Sequence, residues 1–346
     1  MDFENEVVLV TGAAGFIGSH VSRALLSRGA HVVGVDNFDP YYARSLKDAN
    51  LAMVRGGAGG VGSAGGERFA FVEMDICETG ALESLMTSRG VTGVVHLAAK
   101  AGVRPSIADP VGYARVNVMG TQSVLSAASG ACGGGGCARV VAASSSSVYG
   151  NNEKTPFSEE DSVEHPISPY AATKRAGELI GETHHHLTGM GVAMLRFFTV
   201  YGPGQRPDLA IRLFLDRVSR GESITMFGDG SMSRDFTFID EIVSGVLASY
   251  ERIDSFGYRI WNLGSDQPVV LRDLIAGVGQ VVGRDPVVEQ IGMQAGDVDR
   301  TWADLTRSKA ELGYGTGESL SILEGMARQW AWMQEQEQDQ ANRGGD

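Results

Sequence analysis

The stretch TGAAGFIG at residues 11–18 decides the fold, because it joins the apolar run Val7–Val10 to a helical pattern that begins at Phe16. Its three glycines allow a tight turn, a close approach of the backbone to a pyrophosphate, and close packing of the helix against the strand. The N-terminus of such a helix offers unpaired N–H groups and the positive end of its dipole. The sequence therefore predicts a dinucleotide-binding turn, formed by Gly12, Gly15, Phe16, Ile17 and Gly18.

Short apolar runs and helical patterns alternate after this turn. Strands buried on both faces are predicted at Val7–Val10, His31–Val35, Phe69–Met74, Val94–Ala98 and Arg139–Ala143, and helices at Phe16–Ser27, Leu82–Ser88 and Ile107–Ala128. The repeated strand–helix–strand order predicts an α/β protein with a doubly wound parallel sheet and right-handed crossovers. Ligands bind such sheets beyond the carboxyl ends of the strands, so the turns that follow these strands are expected to line the site.

Two carboxylates follow predicted strands on this edge. Asp36 ends the second strand, 18 residues after Gly18. A carboxylate there accepts hydrogen bonds from the adenosine ribose hydroxyls and repels a 2′-phosphate, so NAD is favoured over NADP. Asp75 ends the third strand and is predicted to meet the adenine edge. A structural turn that binds no nucleotide is the alternative.

Composition limits the partners of the chain. Its 346 residues include 29 Lys+Arg and 42 Asp+Glu, a formal net charge of −13, which disfavours nucleic acid and anionic membranes as main partners. No apolar run approaches the roughly 18 residues that span a bilayer, and Met1–Glu6 carries no targeting pattern. Three cysteines do not make a disulfide framework. A cytoplasmic location is expected, and a membrane-anchored parent protein stays an open alternative.

The composition changes after the YGPG stretch at residues 201–204, where short elements alternate with Gly, Pro and Asp turns. This change predicts a second, smaller mixed α/β domain that binds the substrate. The predicted domains are residues 1–198 with about 236–262, which bind NAD, and residues 199–235 with 263–334, which form the substrate domain.

Three further segments are predicted to lie outside the core. The glycine-rich stretches Gly56–Gly66 and Gly133–Gly136 are predicted to be flexible surface insertions. An amphipathic helix is predicted to close the chain from about Ser319 to Gln334. The polar tail at residues 335–346 is predicted to be disordered.

A Tyr–Lys pair carries the predicted chemistry. Tyr170 and Lys174 are four residues apart, and therefore on one face of a helix that follows the serine run Ser144–Ser147. The Lys ammonium and a positive nicotinamide ring are expected to lower the pKa of the phenol toward neutrality. The phenolate then suits removal of a sugar hydroxyl proton while the carbon beneath gives hydride to NAD, and a serine hydroxyl relays the proton. An incidental pair on an amphipathic helix is the alternative.

Five features of the chain share one resemblance. They are the glycine turn, His96–Ala99, the serine run with Val148-Tyr149-Gly150, the Tyr170/Lys174 pair and Ser233–Asp240. With them the chain resembles the extended short-chain dehydrogenase/reductases, a Rossmann-fold family, and within it the nucleotide-sugar 4-epimerases, over roughly residues 6–332. The resemblance implies that Tyr170 is the base, that Lys174 activates it and binds the nicotinamide ribose, and that Ser145 assists proton transfer. The implied NAD contacts are Gly12, Gly15, Phe16, Ile17, Gly18, Asp36, Asn37, Asp75, Ile76, Leu97, Ala98, Ala99, Tyr170 and Lys174.

The same resemblance implies how a UDP-sugar is held. Arg234 matches the diphosphate-binding arginine of the family, Phe227 the residue that packs on uracil, and Asp297 a contact of the nucleotide ribose. The arginine that the family usually carries three residues before that aspartate is Gln294 here, so one phosphate contact lacks its usual residue. Arg104 is a further candidate for contact with the substrate or its phosphates.

Two stretches indicate the branch of the family. Sugar dehydratases carry an Asp-Glu pair where this chain has Ser145-Ser146, so the hydroxyls argue against removal of water. The stretch FFTVYGPGQRPD at residues 197–208 resembles the UDP-glucuronate 4-epimerases instead. In that branch the sugar carboxylate is held by the residues equivalent to Thr199, Arg206, Ser145, Ser146 and Ser147. An Arg206 that serves only as a surface ion-pair partner is the alternative.

The chemistry of uronic acids gives a physical reason for this grip. Oxidation at carbon 4 makes a β-keto acid, which loses carbon dioxide when the breaking bond aligns with the ketone π system. An arginine and several hydroxyls on the carboxylate keep that bond out of alignment. The sequence thus predicts an NAD-dependent 4-epimerase, an isomerase, that interconverts UDP-glucuronate and UDP-galacturonate. The alternatives are a UDP-glucose or UDP-N-acetylglucosamine 4-epimerase, then a UDP-glucuronate decarboxylase, and, from another class, a non-catalytic NAD-sensing protein.

The last predictions concern metal binding, redox-active cysteines and the oligomeric state. His184–His186 occupy consecutive helical positions and point in different directions, so no metal site is predicted. Cys132 and Cys137 flank four glycines and lack the spacing of a Cys-x-x-Cys motif. In the resembled family the helices equivalent to Ile107–Ala128 and Tyr170–Leu187 pair with their copies across a two-fold axis, which implies a homodimer.

Overall fold

Seven parallel strands form the main sheet of the computed structural model, which describes residues 3–56, 68–131, 137–292, 298–317 and 320–343. In chain order the strands are β1 (Val7–Thr11), β2 (His31–Asp36), β3 (Phe69–Glu73), β4 (Gly93–His96), β5 (Arg139–Ser145), β6 (Gly191–Phe197), β7 (Thr199–Tyr201), β8 (Ile224–Phe227), β9 (Ser233–Phe238), β10 (Tyr258–Leu263), β11 (Pro268–Val270) and β12 (Val288–Ile291). The main sheet has the order β10-β6-β5-β4-β1-β2-β3. The predicted doubly wound parallel sheet is confirmed, and β6 and β10 extend it beyond the predicted strands.

Helices connect the strands. The helical segments are Phe16–Ser27, Arg44–Gly56, Thr79–Arg89, Val103–Ala108, Pro110–Tyr113, the π-helical Ala114–Met119, Gly120–Ala131, the 3₁₀ turn Ser146–Tyr149, Pro169–Thr188, Ala210–Arg220, Ile239–Arg252, the 3₁₀ turn Ile253–Ser255, Leu271–Val282, Thr306–Leu312 and Ile322–Arg343. No helix within the described ranges has both the length and the apolarity needed to cross a membrane. The cytoplasmic location stays a prediction.

Strand β1 shows how both faces of the main sheet are covered. Val8 and Val10 belong to one apolar cluster and Leu9 to the other, and all three are fully buried. The first cluster includes Leu25 of the helix that follows the glycine turn, and the second includes Leu125 of Gly120–Ala131. Because successive side chains of a strand point to opposite faces, an uninterrupted apolar run requires helices on both sides.

Two smaller sheets lie in the part of the chain beyond residue 198. In one, β9 pairs in parallel with β7 and antiparallel with β11; in the other, β8 and β12 pair in parallel. This mixture of strand directions agrees with the mixed α/β character predicted there. The division of the chain into two domains with the boundaries given above stays a prediction.

Two helical predictions differ from the structure. The predicted helix Ile107–Ala128 is broken at Asp109, because Pro110 has no N–H to continue the ladder and the Asp109 carboxylate instead accepts from the Gly112 N–H at 2.9 Å. The closing helix ends at Arg343 rather than Gln334. Residues 335–343, predicted to be disordered, are therefore helical, and they contain neither glycine nor proline to stop the helix. Both glycine-rich stretches lie outside the described residues, apart from Gly56.

A buried histidine joins the first turn to the rest of the sheet. His96, at the end of β4, makes hydrogen bonds of 2.7 Å between its Nδ1 and Thr11 Oγ1 and of 3.1 Å between its Nε2 and Thr121 Oγ1. Thr121 donates its own proton to the Asn117 carbonyl, so Nε2 carries the imidazole proton and Nδ1 accepts from Thr11. Burial, with a contribution from the charge of Lys174, lowers the pKa of His96 to about 3.

This shift predicts sensitivity to acid. The pKa of His96 is near 6.5 in the unfolded chain and about 3 in the folded one, so between these values only the unfolded chain takes up the proton. The stabilisation is complete above pH 6.5 and is lost, by about 1.4 kcal/mol per pH unit, as the pH falls toward 3. In urea unfolding at pH 7, 6 and 5, His96→Gln should lose most of this pH dependence. The exposed His31→Gln should keep it, and equal slopes for both variants would contradict the account.

Candidate active site

The turn after β1 has the shape of a cradle for a pyrophosphate. Gly12 has a φ of +72°, and a Cβ there would lie 2.8 Å from the backbone nitrogen of Ala98. A Cβ on Gly18 would collide with the Gly12 carbonyl oxygen. No side chain caps the helix that begins at Phe16, so its first N–H groups are left for a ligand. The turn therefore fits the diphosphate of a dinucleotide.

Gly18→Ala is expected to weaken this turn. Because the added methyl meets a backbone carbonyl, the chain must shift, at a cost of about 1–3 kcal/mol in folding free energy. We also expect the affinity for NAD to fall at least about tenfold, since the displaced backbone is the one that meets the phosphates. Calorimetric titration with NAD and thermal unfolding measure the two effects. Gly80→Ala, at a helical glycine with open space around it, is the control and should leave the affinity for NAD unchanged and the stability equal or slightly higher.

Asp36 lies at the end of β2 with its carboxylate buried next to an unexpected cation. Its Oδ1 accepts from the Phe38 N–H at 2.8 Å, and the Lys47 Nζ lies 3.8 Å away. Burial raises the pKa of Asp36, and the charge of Lys47 opposes this effect. The position suits the adenosine ribose as predicted, while Lys47, held by the Asp39 carbonyl at 2.8 Å, was assigned no role from the sequence.

Asp75 does not reach the cavity described below. Its carboxylate pairs with Arg115 at 3.0 Å and accepts from the Cys77 N–H at 2.9 Å. The neighbouring Ile76 does line the cavity. A contact of Asp75 with adenine is thus not supported by its position, because the side chain is engaged by Arg115.

Tyr170 and Lys174 lie in the first turns of the helix Pro169–Thr188. Ser168 caps this helix by accepting from the Ala171 N–H at 3.1 Å, and Pro169 suits the first helical position. Tyr170 is hydrogen-bonded to Ser145 at the end of β5. The Lys174 Nζ donates to the Ala143 carbonyl at 2.8 Å. The structure thus brings the three predicted catalytic residues together.

The pKa values of Tyr170 and Lys174 are both shifted by burial. Burial raises the pKa of Tyr170, and the hydrogen bond to Ser145 and the charge of Arg206 offset this effect only in part. Burial also lowers the pKa of Lys174 to about 8, against the charge of Glu178. In the protein alone, burial dominates the pKa of the phenol and the Lys174 ammonium is directed at a carbonyl. The lowering expected from Lys174 together with the nicotinamide ring stays a prediction.

One cavity of about 500 Å³ joins the turn, Asp36 and the Tyr–Ser–Lys group. It opens at the carboxyl ends of the strands, as the fold predicts. The predicted residues on its wall are Gly12, Gly15, Phe16, Ile17, Gly18, Asp36, Asn37, Ile76, Leu97, Ala98, Ala99, Ser145, Ser146, Ser147, Tyr170, Lys174, Thr199, Arg206 and Arg234. Among the residues that the structure describes, none is a hydrogen-bond partner of the buried Ser147 Oγ.

A second cavity of about 340 Å³ shares Arg234 with the first. It is lined by Arg104 and Phe227, and the guanidinium carbon of Arg104 lies 4.4 Å from the centre of the Phe227 ring. These three residues, predicted to meet the phosphates and uracil, are therefore adjacent. Asp297, predicted to contact the nucleotide ribose, lies outside the described residues.

Arg206 projects into the first cavity and is nearly buried. Its guanidinium binds the Asp208 carboxylate through two hydrogen bonds, of 3.0 and 2.7 Å, and lies 4.7 Å from the centre of the Tyr41 ring. The alternative role of Arg206, a surface ion pair, agrees with the structure only in that an ion pair exists. The arginine is not at the surface, because its side-chain exposure is only 15% and it lines the cavity.

The sequence model of the NAD dependent epimerase/dehydratase family matches residues 8–264. The chain belongs to this family. The UDP-glucuronate 4-epimerase of Thermodesulfobacterium geofontis is 38% identical over 328 residues, which cover 94% of this chain and 96% of that protein. UDP-glucuronate 4-epimerase 1 of Arabidopsis thaliana is 42% identical over 328 residues, covering 89% of this chain and 72% of that protein.

A solved structure of the same epimerase/dehydratase family has a similar fold. The crystal structure of UDP-glucuronic acid 4-epimerase from Bacillus cereus, in complex with UDP-glucuronic acid and NAD, matches with a TM-score of 0.85 at 33% identity. The match covers 95% of this chain and 99% of that chain. Membership of the epimerase/dehydratase family thus rests on both sequence and fold.

The histidines and cysteines of this family member have ordinary partners. The His184 Nε2 is 2.8 Å from Ser129 Oγ, and the His185 Nδ1 is 2.7 Å from the Met190 carbonyl. Across the described ranges, no three His, Cys, Asp or Glu side chains are grouped as metal ligands would be. Cys137 is buried and forms no disulfide with another described cysteine, and Cys132 lies outside the described residues.

Proposed function

We propose that this protein is an NAD-dependent 4-epimerase that interconverts UDP-glucuronate and UDP-galacturonate through a 4-keto intermediate. The observation that carries the proposal is a single cavity lined by the glycine turn, by Tyr170 with Ser145, and by Arg206. The names of the relatives, and the ligands of the Bacillus cereus complex, support the same substrate and cofactor.

The residues around Tyr170 suit proton transfer at a sugar hydroxyl. Tyr170 takes the proton from the oxygen on carbon 4, and Ser145, hydrogen-bonded to the phenol, holds that oxygen and returns the proton. NAD, when bound, would supply the hydride acceptor for carbon 4 and a positive ring that favours the phenolate, and inversion requires the 4-keto sugar to turn over in the pocket before the hydride returns to its opposite face. Lys174 is placed by the Ala143 carbonyl to bind the nicotinamide ribose.

Several residues of the cavity lining suit a carboxylate. They are Arg206, Thr199 and the serine run, of which Ser147 supplies an unpartnered Oγ. A guanidinium and hydroxyls that fix the carboxylate keep the bond between carbons 5 and 6 out of line with the ketone. The cavity shared through Arg234, with Phe227 in its wall, is the site that we assign to the UDP group.

Product analysis tests the proposal. The protein is incubated with NAD and UDP-glucuronate, UDP-glucose or UDP-N-acetylglucosamine, and products are followed by proton NMR with the absorbance at 340 nm. We expect UDP-galacturonate from UDP-glucuronate, with almost no lasting NADH because the hydride is returned. A pentose product would identify a decarboxylase, turnover of the neutral sugars alone would identify another epimerase, and binding of NAD without turnover would identify a sensor.

We further propose that the protein is a homodimer. Large apolar side chains are exposed on the two helical regions that the resemblance places at a two-fold axis: Ile107, Val111 and Met119 on one, and Leu179 and Leu187 on the other. Exposed apolar groups concentrated on neighbouring helices are typical of a subunit interface.

Negative charges introduced among these exposed apolar residues are expected to separate the subunits. The double variant Met119→Glu/Leu179→Glu should have the 36.7 kDa mass of one chain in light scattering after gel filtration, whereas the unaltered protein should have twice that mass. Val287→Glu changes an equally exposed apolar residue outside these helices and should remain dimeric. A monomeric unaltered protein would contradict this proposal and leave the proposed activity unaffected.

A further inference from the structure

The guanidinium of Arg206 is held along one edge by the chain itself. Its Nε donates to Asp208 Oδ1 at 3.0 Å and its Nη2 to Asp208 Oδ2 at 2.7 Å, which is the paired geometry of a strong arginine–carboxylate contact. Along the other edge, Nη1 and Nη2 both lie 3.5 Å from the Ala101 carbonyl oxygen, at the limit of a hydrogen bond. One edge is therefore firmly bound, and the other is left for a stronger acceptor.

Tyr41 supports this pair from a different part of the chain. Its ring lies 4.7 Å from the guanidinium carbon of Arg206, and its hydroxyl donates to Asp208 Oδ2 at 3.2 Å. The aromatic face restricts movement of the guanidinium out of its plane, and the hydroxyl holds the carboxylate. The loop after β2 thus contacts both members of the ion pair.

Asp208 does not line the first cavity itself but holds two residues that do, Arg206 and Tyr41. Arg206 lies on the wall of that cavity, whereas Asp208 lies on the wall of the second one. Partial burial works to raise the pKa of Asp208, but the hydrogen bond and charge of Arg206 outweigh it and hold the pKa below its usual value. At neutral pH the carboxylate is therefore charged and remains bound to the arginine.

We propose that Asp208, supported by Tyr41, is a positioning residue that directs the Nη1–Nη2 edge of Arg206 toward the substrate carboxylate and so limits decarboxylation. This inference rests on the proposed function. In the unwanted reaction of the 4-keto sugar, the bond between carbons 5 and 6 breaks, carbon 6 leaves as carbon dioxide, and the electron pair forms an enolate with the ketone that water then protonates. Return of the hydride to carbon 4 of this 4-ketopentose then gives the UDP-pentose. A carboxylate whose orientation is fixed by a fixed guanidinium reaches the required alignment less often.

The test compares product ratios among matched variants. Asp208→Asn removes the charge and one of the two acceptors, and Tyr41→Phe removes only the hydroxyl while the ring stays. Asp216→Asn breaks another Asp–Arg pair, with Arg220, on an exposed helix face away from both cavities, and is the control. Each variant is incubated with NAD and UDP-glucuronate. NMR measures UDP-galacturonate and pentose products, and initial rates give kcat and KM.

For Asp208→Asn we expect kcat for epimerisation to fall about tenfold, KM to change less than about threefold, and the pentose share of the product to rise about tenfold. Tyr41→Phe should raise that share about two- to threefold, since the ion pair itself remains. Asp216→Asn should match the unaltered enzyme.

Three results would overturn the inference: an unchanged product ratio in both Asp208→Asn and Tyr41→Phe, a loss of turnover in both without more pentose, or an equal rise in Asp216→Asn. Tyr41 is partly exposed, so Tyr41→Phe should not disturb folding. It therefore still tests the inference if Asp208→Asn does not fold. An unaltered enzyme that makes neither UDP-galacturonate nor pentose would instead refute the proposed function, and this inference with it.

Discussion

Tyr170→Phe is expected to lower kcat for the interconversion of UDP-glucuronate and UDP-galacturonate about 10³-fold, because general base catalysis contributes 10²–10⁴-fold and no other phenol is bound to Ser145 among the described residues. Ser145 and Lys174 remain in place but neither takes the hydroxyl proton well at neutral pH. The rate of product formation by NMR under saturating UDP-glucuronate measures the effect.

The control for this variant is Tyr258 at the start of β10, which contacts the same helix but no cavity. Its half-buried side chain donates to the Glu178 carbonyl at 2.8 Å. Tyr258→Phe should cost about 1 kcal/mol of stability and leave kcat unchanged. If Tyr170→Phe retained more than about a tenth of the turnover of the unaltered enzyme, Tyr170 would not be the base.

Arg206→Met should have the second large effect, on substrate preference and product. Loss of a buried charge-assisted pair to the substrate carboxylate is expected to lower kcat/KM for UDP-glucuronate about 100-fold. It also frees the carboxylate to rotate, so pentose products should exceed UDP-galacturonate. Any turnover of UDP-glucose, which has no carboxylate, should change little. Competition between the two sugars, followed by NMR, measures both outcomes.

Arg212→Met serves as the matched variant. Arg212 is partly buried nearby but binds the Gln205 carbonyl and lines neither cavity. The Arg212→Met variant should lower the stability of the protein without altering the ratio of pentose to UDP-galacturonate. A pentose share in Arg206→Met no higher than in Arg212→Met would show that Arg206 does not orient the carboxylate.

The parts of the fold that the sequence predicted are those with local signals. The turn after β1 is specified by its own glycines, and the buried strands by uninterrupted apolar runs. Strand β6 was missed because it contains Arg196, a charge inside a core strand. That charge is compensated by Glu178, at 2.8 and 2.9 Å, on the preceding helix. A pairing of this kind between separate elements leaves no periodic signal in the sequence.

For the site, too, the sequence predicted the residues that belong to motifs but not the tertiary contacts that hold them. Motifs identified Tyr170, Lys174 and Arg206, and the structure brings them to one cavity. The support of Arg206 by Tyr41 was not predictable, because the two residues are far apart in sequence and only folding brings the ring and its hydroxyl to Arg206 and Asp208. Asp208 is two residues from Arg206, but that spacing alone does not show which edge of the guanidinium it binds. The burial that raises the pKa of Tyr170 in the protein alone could not be predicted either, since burial depends on the whole fold.

The central claim is that the hydrogen on carbon 4 leaves and returns within one cavity, without exchange with solvent. UDP-glucuronate that carries deuterium at carbon 4 tests it directly, with products analysed by NMR and mass spectrometry in ordinary water. The account predicts that UDP-galacturonate keeps the deuterium at carbon 4, because hydride transfer does not exchange with solvent. UDP-galacturonate with solvent hydrogen at that carbon would contradict it.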